Sequence, residues 1–511
     1  MNILASKYKK NPILNYKFYL IIVLFLSWIY FLFLPFHEDL VLFGTSIVAQ
    51  KASSLDYLNN MIHGRLILQK YIFYFFHIMS ANFLENKNLY QILFRGFYSL
   101  VLITAGFVYS KLFCDYNNKL KNAKYDFFII FFIFCFIFFI SPQRISLSSE
   151  EICAAISLVA FAFFLSRNIF LIFFSGLFIG LTFFFKAATI FIGFASFGLI
   201  LYEFYSNRLL QKKKNIILFV SGLLFSGVLL LFYLILFSND ALTIFVMSQT
   251  TVLENVNLYD RFFKFFQVLS VLLRHYPLIV IINFFYILQI LLKIRKNNLV
   301  DSLLQLFPIL VMAFGIFIQA TSSPYLFSGY YLTSIFFLSK NYFLIKKYIK
   351  FFILLFFFIF FEQVVRIYYD PFNALGNYPS VQKIKLEREE VSKQYLLFFD
   401  YLDKKYKYKK KELSCLYLDY TATYYLNCKS ENYYSHYLYS RTINFEYKKK
   451  FIEAFKNNNA DIIVINIDWY DFNEDLNFLH KQIANEYEAY PLTIINEGKR
   501  VKLFINKNTL N

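Results

Sequence analysis

Residues 127–140 read FFIIFFIFCFIFFI, and residues 351–361 read FFILLFFFIFF. Neither stretch holds a charge. Both are far more apolar than the interior helices of a soluble protein, and the whole chain is 58% hydrophobic and 22% aromatic, against the roughly 45–50% apolar usual for soluble domains. A bilayer core of roughly 30 Å takes about 20 apolar residues as a helix. A helix also closes its own backbone hydrogen bonds where no water can do so. These two stretches therefore mark a membrane protein with helical spans.

Working outward from them, the apolar pattern predicts spans near 17–36, 90–112, 125–140, 151–166, 169–185, 187–205, 215–237, 262–292, 303–320, 325–339 and 348–368, about eleven in all. The span at 262–292 contains Arg274, His275 and Pro277. Proline removes a backbone donor, so this span is expected to break or to be two short helices. The first apolar run follows Lys7, Lys9, Lys10 and Lys17 and lacks a small-residue cleavage site, which reads as a retained span.

Charge gives the spans a direction. The chain carries a net charge of +19. From Asp370 onward there are 21 basic and 19 acidic residues; before it there are 31 basic and 14 acidic. The excess sits between apolar runs, in Lys111–Lys124, Arg167, Arg208–Lys214, Lys293–Lys296 and Lys340–Lys350. That pattern reads as cytoplasmic loops, with the N-terminus on the same side, and not as a nucleic-acid surface. The opposite face receives 37–89, 141–150, 238–261, 321–324 and the tail. Residues 1–369 are thus expected to form the membrane domain with an outer loop at 37–89. Residues 370–511 are expected to form a non-cytoplasmic α/β domain.

Within the tail, 387–405 reads as helix, 414–419 as strand, 447–458 as an amphipathic helix, 461–467 as a buried strand and 471–488 as helix. Segments 491–496 and 500–506 read as a hairpin around Glu497-Gly498-Lys499. Five cysteines are too few for a disulfide framework or a zinc site. Cys415 and Cys428 can pair if the tail lies outside the cytoplasm.

Several polar residues are candidates for chemistry. Glu38 and Asp39 follow the first span in FLPFHEDLVLFG. They serve either as a polar cap or as a general base that takes a proton from an attacking hydroxyl. Arg65 lies in a loop whose amphipathic stretches (55–62 and 66–79) suit interfacial helices. There it either anchors lipid headgroups or binds phosphate with its planar fork. Lys186, in LTFFFKAATIF, either snorkels to the boundary or meets substrate. Arg144, with Glu150 and Glu151, flanks a short outer loop, and His275 interrupts a span. Tyr325, Tyr330 and Tyr331 are either belt residues or part of a site. Glu362 and Arg366, four apart, suit a structural pair on one helix face. There is no phosphate-binding glycine loop and no HExxH, so cytoplasmic nucleotide chemistry has no visible home.

This organisation resembles the GT-C superfamily of membrane glycosyltransferases. The resemblance rests on the first span ending in Glu38-Asp39, the long outer loop after it and the segment SGLFIGLTFFFKAATIFIGFA at 175–195. The outer tyrosine loop SSPYLFSGYYL and the α/β tail fit as well. The acidic pair with Tyr57 and Gly64-Arg65 resembles serotype-converting O-antigen glucosyltransferases. The plan is also similar to protein O-mannosyltransferases and the lipid A aminoarabinose transferase, although their Pro-Pro-Leu step is absent. The resemblance implies a multi-pass enzyme of a bacterial plasma membrane. It would move a sugar from a polyprenyl-phosphate donor to a glycan, lipid or protein acceptor of the cell envelope, with inversion.

The resemblance further implies that Asp39, more than Glu38, is the base. Arg65, Lys186, Arg144 and His275 would then neutralise the departing phosphate, with Tyr325 and Tyr330 lining the substrate site. No cofactor is assigned; the paired carboxylates permit a divalent cation, with no further ligand assignable. Two alternatives stand beside this reading. One is a polysaccharide polymerase or ligase, which usually keeps its key residues in a large late outer loop. The other is a flippase or transporter of lipid-linked sugars, which often shows internal repeats and broken helices at matching positions.

Overall fold

The structure is a computed structural model. It describes residues 12–34, 67–83, 86–121, 124–140, 149–183, 185, 189–206, 213–237, 258–294, 299–319, 327–369, 381–406, 413–417, 460–467, 483–496 and 499–508, with isolated positions between 422 and 453. The chain divides into two compact units. One comprises Met1–Leu34, Gln91–Leu231 and Val256–Tyr378; the other comprises Pro35–Tyr90, Phe232–Asn255 and Pro379–Asn511.

The helices in chain order are α1 Pro12–Phe33, α2 Ile67–Ser80, α3 Lys87–Lys121, α4 Phe127–Ile140, α5 Ser149–Leu165 and α6 Ile169–Thr182. They continue with α7 Thr189–Ser206, α8 Lys213–Phe237, α9 Leu258–His275, α10 Pro277–Ile294 and α11 Leu299–Gln319. The last are α12 Ser328–Lys340, α13 Tyr342–Lys347, α14 Ile349–Tyr369 and α15 Val381–Tyr406.

A helix stands at each expected span position, but the count of about eleven spans is corrected. Among the described residues six helices are long and apolar enough to cross a membrane: Tyr16–Phe33, Asn88–Lys119, Thr189–Ser206, Lys213–Phe232, Pro277–Ile294 and Leu299–Ile318. For four of the expected spans the reason is length. At 1.5 Å per residue, the 14 residues of α4 or of α6 reach roughly 21 Å, short of the roughly 30 Å core. Likewise α12 has 13 residues and α5 has 17. The expected long span at 262–292 breaks at Tyr276, directly before Pro277, and only its second half qualifies as a span.

In the first unit, antiparallel neighbours bring two sets of helix termini together. At one end Phe31 meets Tyr98 and Phe139, with ring centroids 6.1 and 5.6 Å apart. Phe138 meets Tyr331 there, and Tyr30 meets Phe360. We call this the Glu151 end. At the other, the Asp126 end, Tyr125 stacks on Tyr342 at 4.7 Å, and Tyr109 bonds to Ser339 at 3.2 Å. Between the ends the core holds many phenylalanine and isoleucine side chains, with Phe132 and Phe136 packed against Phe356. Asn168 caps α6, its side chain accepting from the Phe170 amide at 2.9 Å, a common way to satisfy a helix start. Gly176 of α6 faces the Phe219 carbonyl and Gly222 of α8 faces the Phe173 carbonyl so closely that a Cβ at either would collide. Small residues let two membrane helices approach in this way.

The second unit holds a six-stranded sheet of order β2-β1-β3-β6-β4, with β5 also on β6. Its strands are β1 Ser414–Tyr417, β2 Lys429–Ser430, β3 Ile462–Asn466, β4 Tyr487–Ala489, β5 Ile494–Asn496 and β6 Lys499–Asn506. The β1/β2 and β1/β3 pairs are parallel, and those made by β6 are antiparallel. All five residues of β3 are buried, as expected of a strand covered on both faces. The expected hairpin is present, with Asn496 opposite Lys499. The helix expected over 471–488 is corrected at its end. Residues 487–489 are strand, because their backbone pairs with β6, and sheet pairing overrides local preference. The expected helix over 447–458 falls almost wholly outside the described residues.

α15 covers the sheet with Val391, Tyr395, Phe398 and Leu402, and Tyr71 and Tyr74 of α2 pack against the same core. Cys415 and Cys428 form a disulfide with Cα atoms 5.5 Å apart. Burial pushes the Tyr487 phenol above its ordinary value, so it remains a neutral donor to the Ala460 carbonyl at 2.9 Å.

Candidate functional site

Burial of a basic side chain inside the apolar bundle picks out one place in the first unit. Arg95, Glu150 and Glu151 are all buried at the Glu151 end, and Arg95 is the one lysine or arginine so buried among the described residues. Arg95 and Tyr98 lie three apart on α3, so they share a helix face. Both address the Phe31 ring of α1: the Arg95 guanidinium carbon lies 5.2 Å from its centroid, and Tyr98 is its aromatic neighbour. Tyr98 then donates to Glu151 Oε2 at 2.7 Å.

Glu150 and Glu151 occupy the first turn of α5. The positive end of the helix dipole favours carboxylates there. Nearby, Trp28 donates to Ser99 at 3.0 Å. Gln91 of α3 donates to the Leu34 carbonyl at 2.6 Å. That bond ties the end of α1 to the start of α3, and Glu38 and Asp39 follow only four and five residues further along the chain. An ionised side chain at membrane depth costs at least about 2.5 kcal/mol, and such residues usually face an interior or a cavity. This cluster is accordingly the functional candidate that the described residues offer.

Most residues singled out from the sequence are not among those described. Glu38, Asp39, Arg65, Arg144, Lys186 and Tyr325 lie outside them. His275 closes α9 at the break, and its side chain is outside them too. Tyr330 is half-buried in the first turn of α12. Its carbonyl accepts from Asn283 Nδ2 at 3.3 Å and from Thr333 Oγ1 at 3.0 Å, which ties α12 to α10. Glu362 is half-buried on α14, while the side chain of Arg366 is outside the described residues. Among the described residues no group of three histidine, cysteine or acidic side chains is arranged to hold a metal ion.

Two residues of the cluster escaped sequence reasoning. Arg95 and Tyr98 lie in LFRGFYS, inside the expected span 90–112. The available signal was an arginine within a span with a tyrosine one turn away.

No family model, curated protein or solved structure matches the chain. The fold itself defines a class. This is a helical membrane protein whose bundle buries an arginine and two carboxylates at one end, and whose second compact unit is built on a disulfide-linked α/β sheet.

Proposed function

We propose that the chain is an integral membrane glycosyltransferase. It transfers a sugar from a polyprenyl-phosphate donor to an envelope glycan, lipid or protein on the non-cytoplasmic face. One observation carries the reading: the core of the tail domain rests on Tyr71 and Tyr74 of α2, and α2 begins two residues past Arg65. The tail therefore belongs with the loop that carries Glu38, Asp39 and Arg65. The Cys415–Cys428 bridge favours an oxidising compartment for that unit.

In the reaction the acceptor hydroxyl attacks the anomeric carbon opposite the lipid phosphate. The new C–O bond forms as the bond to phosphate breaks, and the electron pair leaves on the phosphate. Asp39, with Glu38 beside it, takes the hydroxyl proton. Inversion follows from the single displacement. Arg65, Lys186, Arg144 and His275 supply positive charge for the departing phosphate. Phosphate is a competent leaving group, so the two-carboxylate requirement of glycoside hydrolysis does not arise.

The test is transfer of radiolabelled sugar from polyprenyl-phosphate donors in membranes, wild type against Asp39→Asn. The expected result is loss of transfer at an unchanged membrane level of protein. Wild-type turnover by Asp39→Asn would remove the assignment.

A further inference from the structure

The helix α9 divides its circumference into three chemically distinct sectors. Val268 and Leu272 are buried against the bundle. Roughly a third of a turn away, Tyr259, Phe262, Phe266 and Leu273 are exposed, at 79, 50, 62 and 56%. The remaining sector carries Asp260, Lys264, Gln267 and Ser270, with exposed Phe263 at its edge toward the aromatic sector. With Asp260, Arg261, Lys264 and Arg274 in 18 residues, α9 is too charged to be a span. A helix in water would not show a row of bare aromatics, and a spanning helix would not carry a polar stripe along its length.

The contacts of α9 fix its placement within the first unit. Near its start, Arg261 donates to the Ile318 carbonyl, and Phe262 meets Phe317 with centroids 5.0 Å apart. Both partners lie in the last turn of α11. Just past its other end, Tyr276 meets Phe327 at 5.0 Å, at the start of α12. Both ends of α9 thus meet helix termini on the Glu151 side of the bundle. The neighbouring helices α10 (Ile281, Phe284, Leu288) and α11 (Leu303, Leu310, Phe314) also leave apolar side chains exposed, and both are candidate spans.

We infer that α9 lies in the plane of the membrane interface: its bundle-facing sector is on the protein, its aromatic sector is in the upper acyl region, and its polar stripe is at headgroup depth. The occupant of its exposed apolar face is bilayer lipid. Interfacial helices have this three-way composition, and tyrosine is favoured at that depth. The inference rests on the membrane class of the protein and is independent of the glycosyltransferase reading.

Nitroxide scanning along residues 259–273 of the full chain in lipid nanodiscs tests it. The labels at 259, 262, 266 and 273 should collide preferentially with oxygen, and those at 260 and 267 with an aqueous nickel complex. Position 268 should be shielded from both. The depth of the lipid-facing labels should stay within about 5 Å, because a helix standing upright would change depth by roughly 21 Å over these 14 steps. As a second measurement, Phe266→Trp should be quenched more by lipids brominated near the glycerol than by lipids brominated near the bilayer centre. A monotonic change of depth along α9 would overturn the inference. So would nickel access at 259, 262 and 266, or shielding of these positions from oxygen.

Discussion

The two ends of the helical unit handle charge differently. At the Asp126 end two carboxylates, Asp126 and Glu203, pair with lysines that keep part of their side chains exposed. Lys17 lies 3.3 Å from Asp126, with side-chain exposures of 32 and 17%, and Lys340 pairs with buried Glu203 while remaining 24% exposed. Tyr16 adds a hydrogen bond to Asp126 at 2.9 Å. At the Glu151 end Arg95, Glu150, Glu151 and Tyr98 are all buried. Long lysine stems can reach the boundary and keep their charge wet; a guanidinium over Phe31 with no exposed surface cannot. The first arrangement is what an ordinary membrane boundary requires. The second costs more, which makes that end the candidate site.

Substitution should separate the ends sharply. Arg95→Ala removes the one lysine or arginine buried among the described residues, at the end that also buries Glu150 and Glu151. The expected loss is about 3–5 kcal/mol, the range for leaving a buried charge uncompensated. Lys17→Ala should cost about 1 kcal/mol or less, because its pair is partly exposed. Thermal unfolding in matched detergent checks both, and equal losses would erase the distinction between the ends. A finer version compares two hydroxyls. Tyr98→Phe deletes a 2.7 Å bond to a carboxylate and should cost about 1.5–3 kcal/mol. Tyr109→Phe deletes a 3.2 Å bond to a serine hydroxyl and should cost about 1 kcal/mol. The reverse order would show that Glu151 does not depend on Tyr98.

Much of the frame was legible in the sequence. Apolar runs located the helices of the bundle, Pro277 located the break before α10, and DIIVINI located β3 because a strand buried on both faces is apolar throughout. The pairing of Cys415 with Cys428 was open in the sequence and is made in the structure. Span number was less legible, because a run such as 127–140 reveals apolarity without revealing whether neighbours bury it or lipid does. The strand at 487–489 was hidden since its partner, β6, follows ten residues later. Arg95 was hidden for the opposite reason: an arginine near the start of a span reads as a boundary residue until Phe31 and Tyr98 are seen around it. The acidic pair and Arg65 were legible only as residue types at the end of a span, and their geometry lies outside the described residues.

The account depends on the tail, α2 and the Glu38–Asp39 segment all lying on the non-cytoplasmic face. The direct measurement is labelling of intact spheroplasts with a membrane-impermeant reagent at a cysteine placed on the exposed face of α15, at Leu396, combined with a thiol-alkylation mass shift for Cys415 and Cys428. The account predicts labelling from outside without permeabilisation, and Cys415 and Cys428 protected from alkylation until a reductant is added. Labelling only after permeabilisation, with both thiols free, would contradict it.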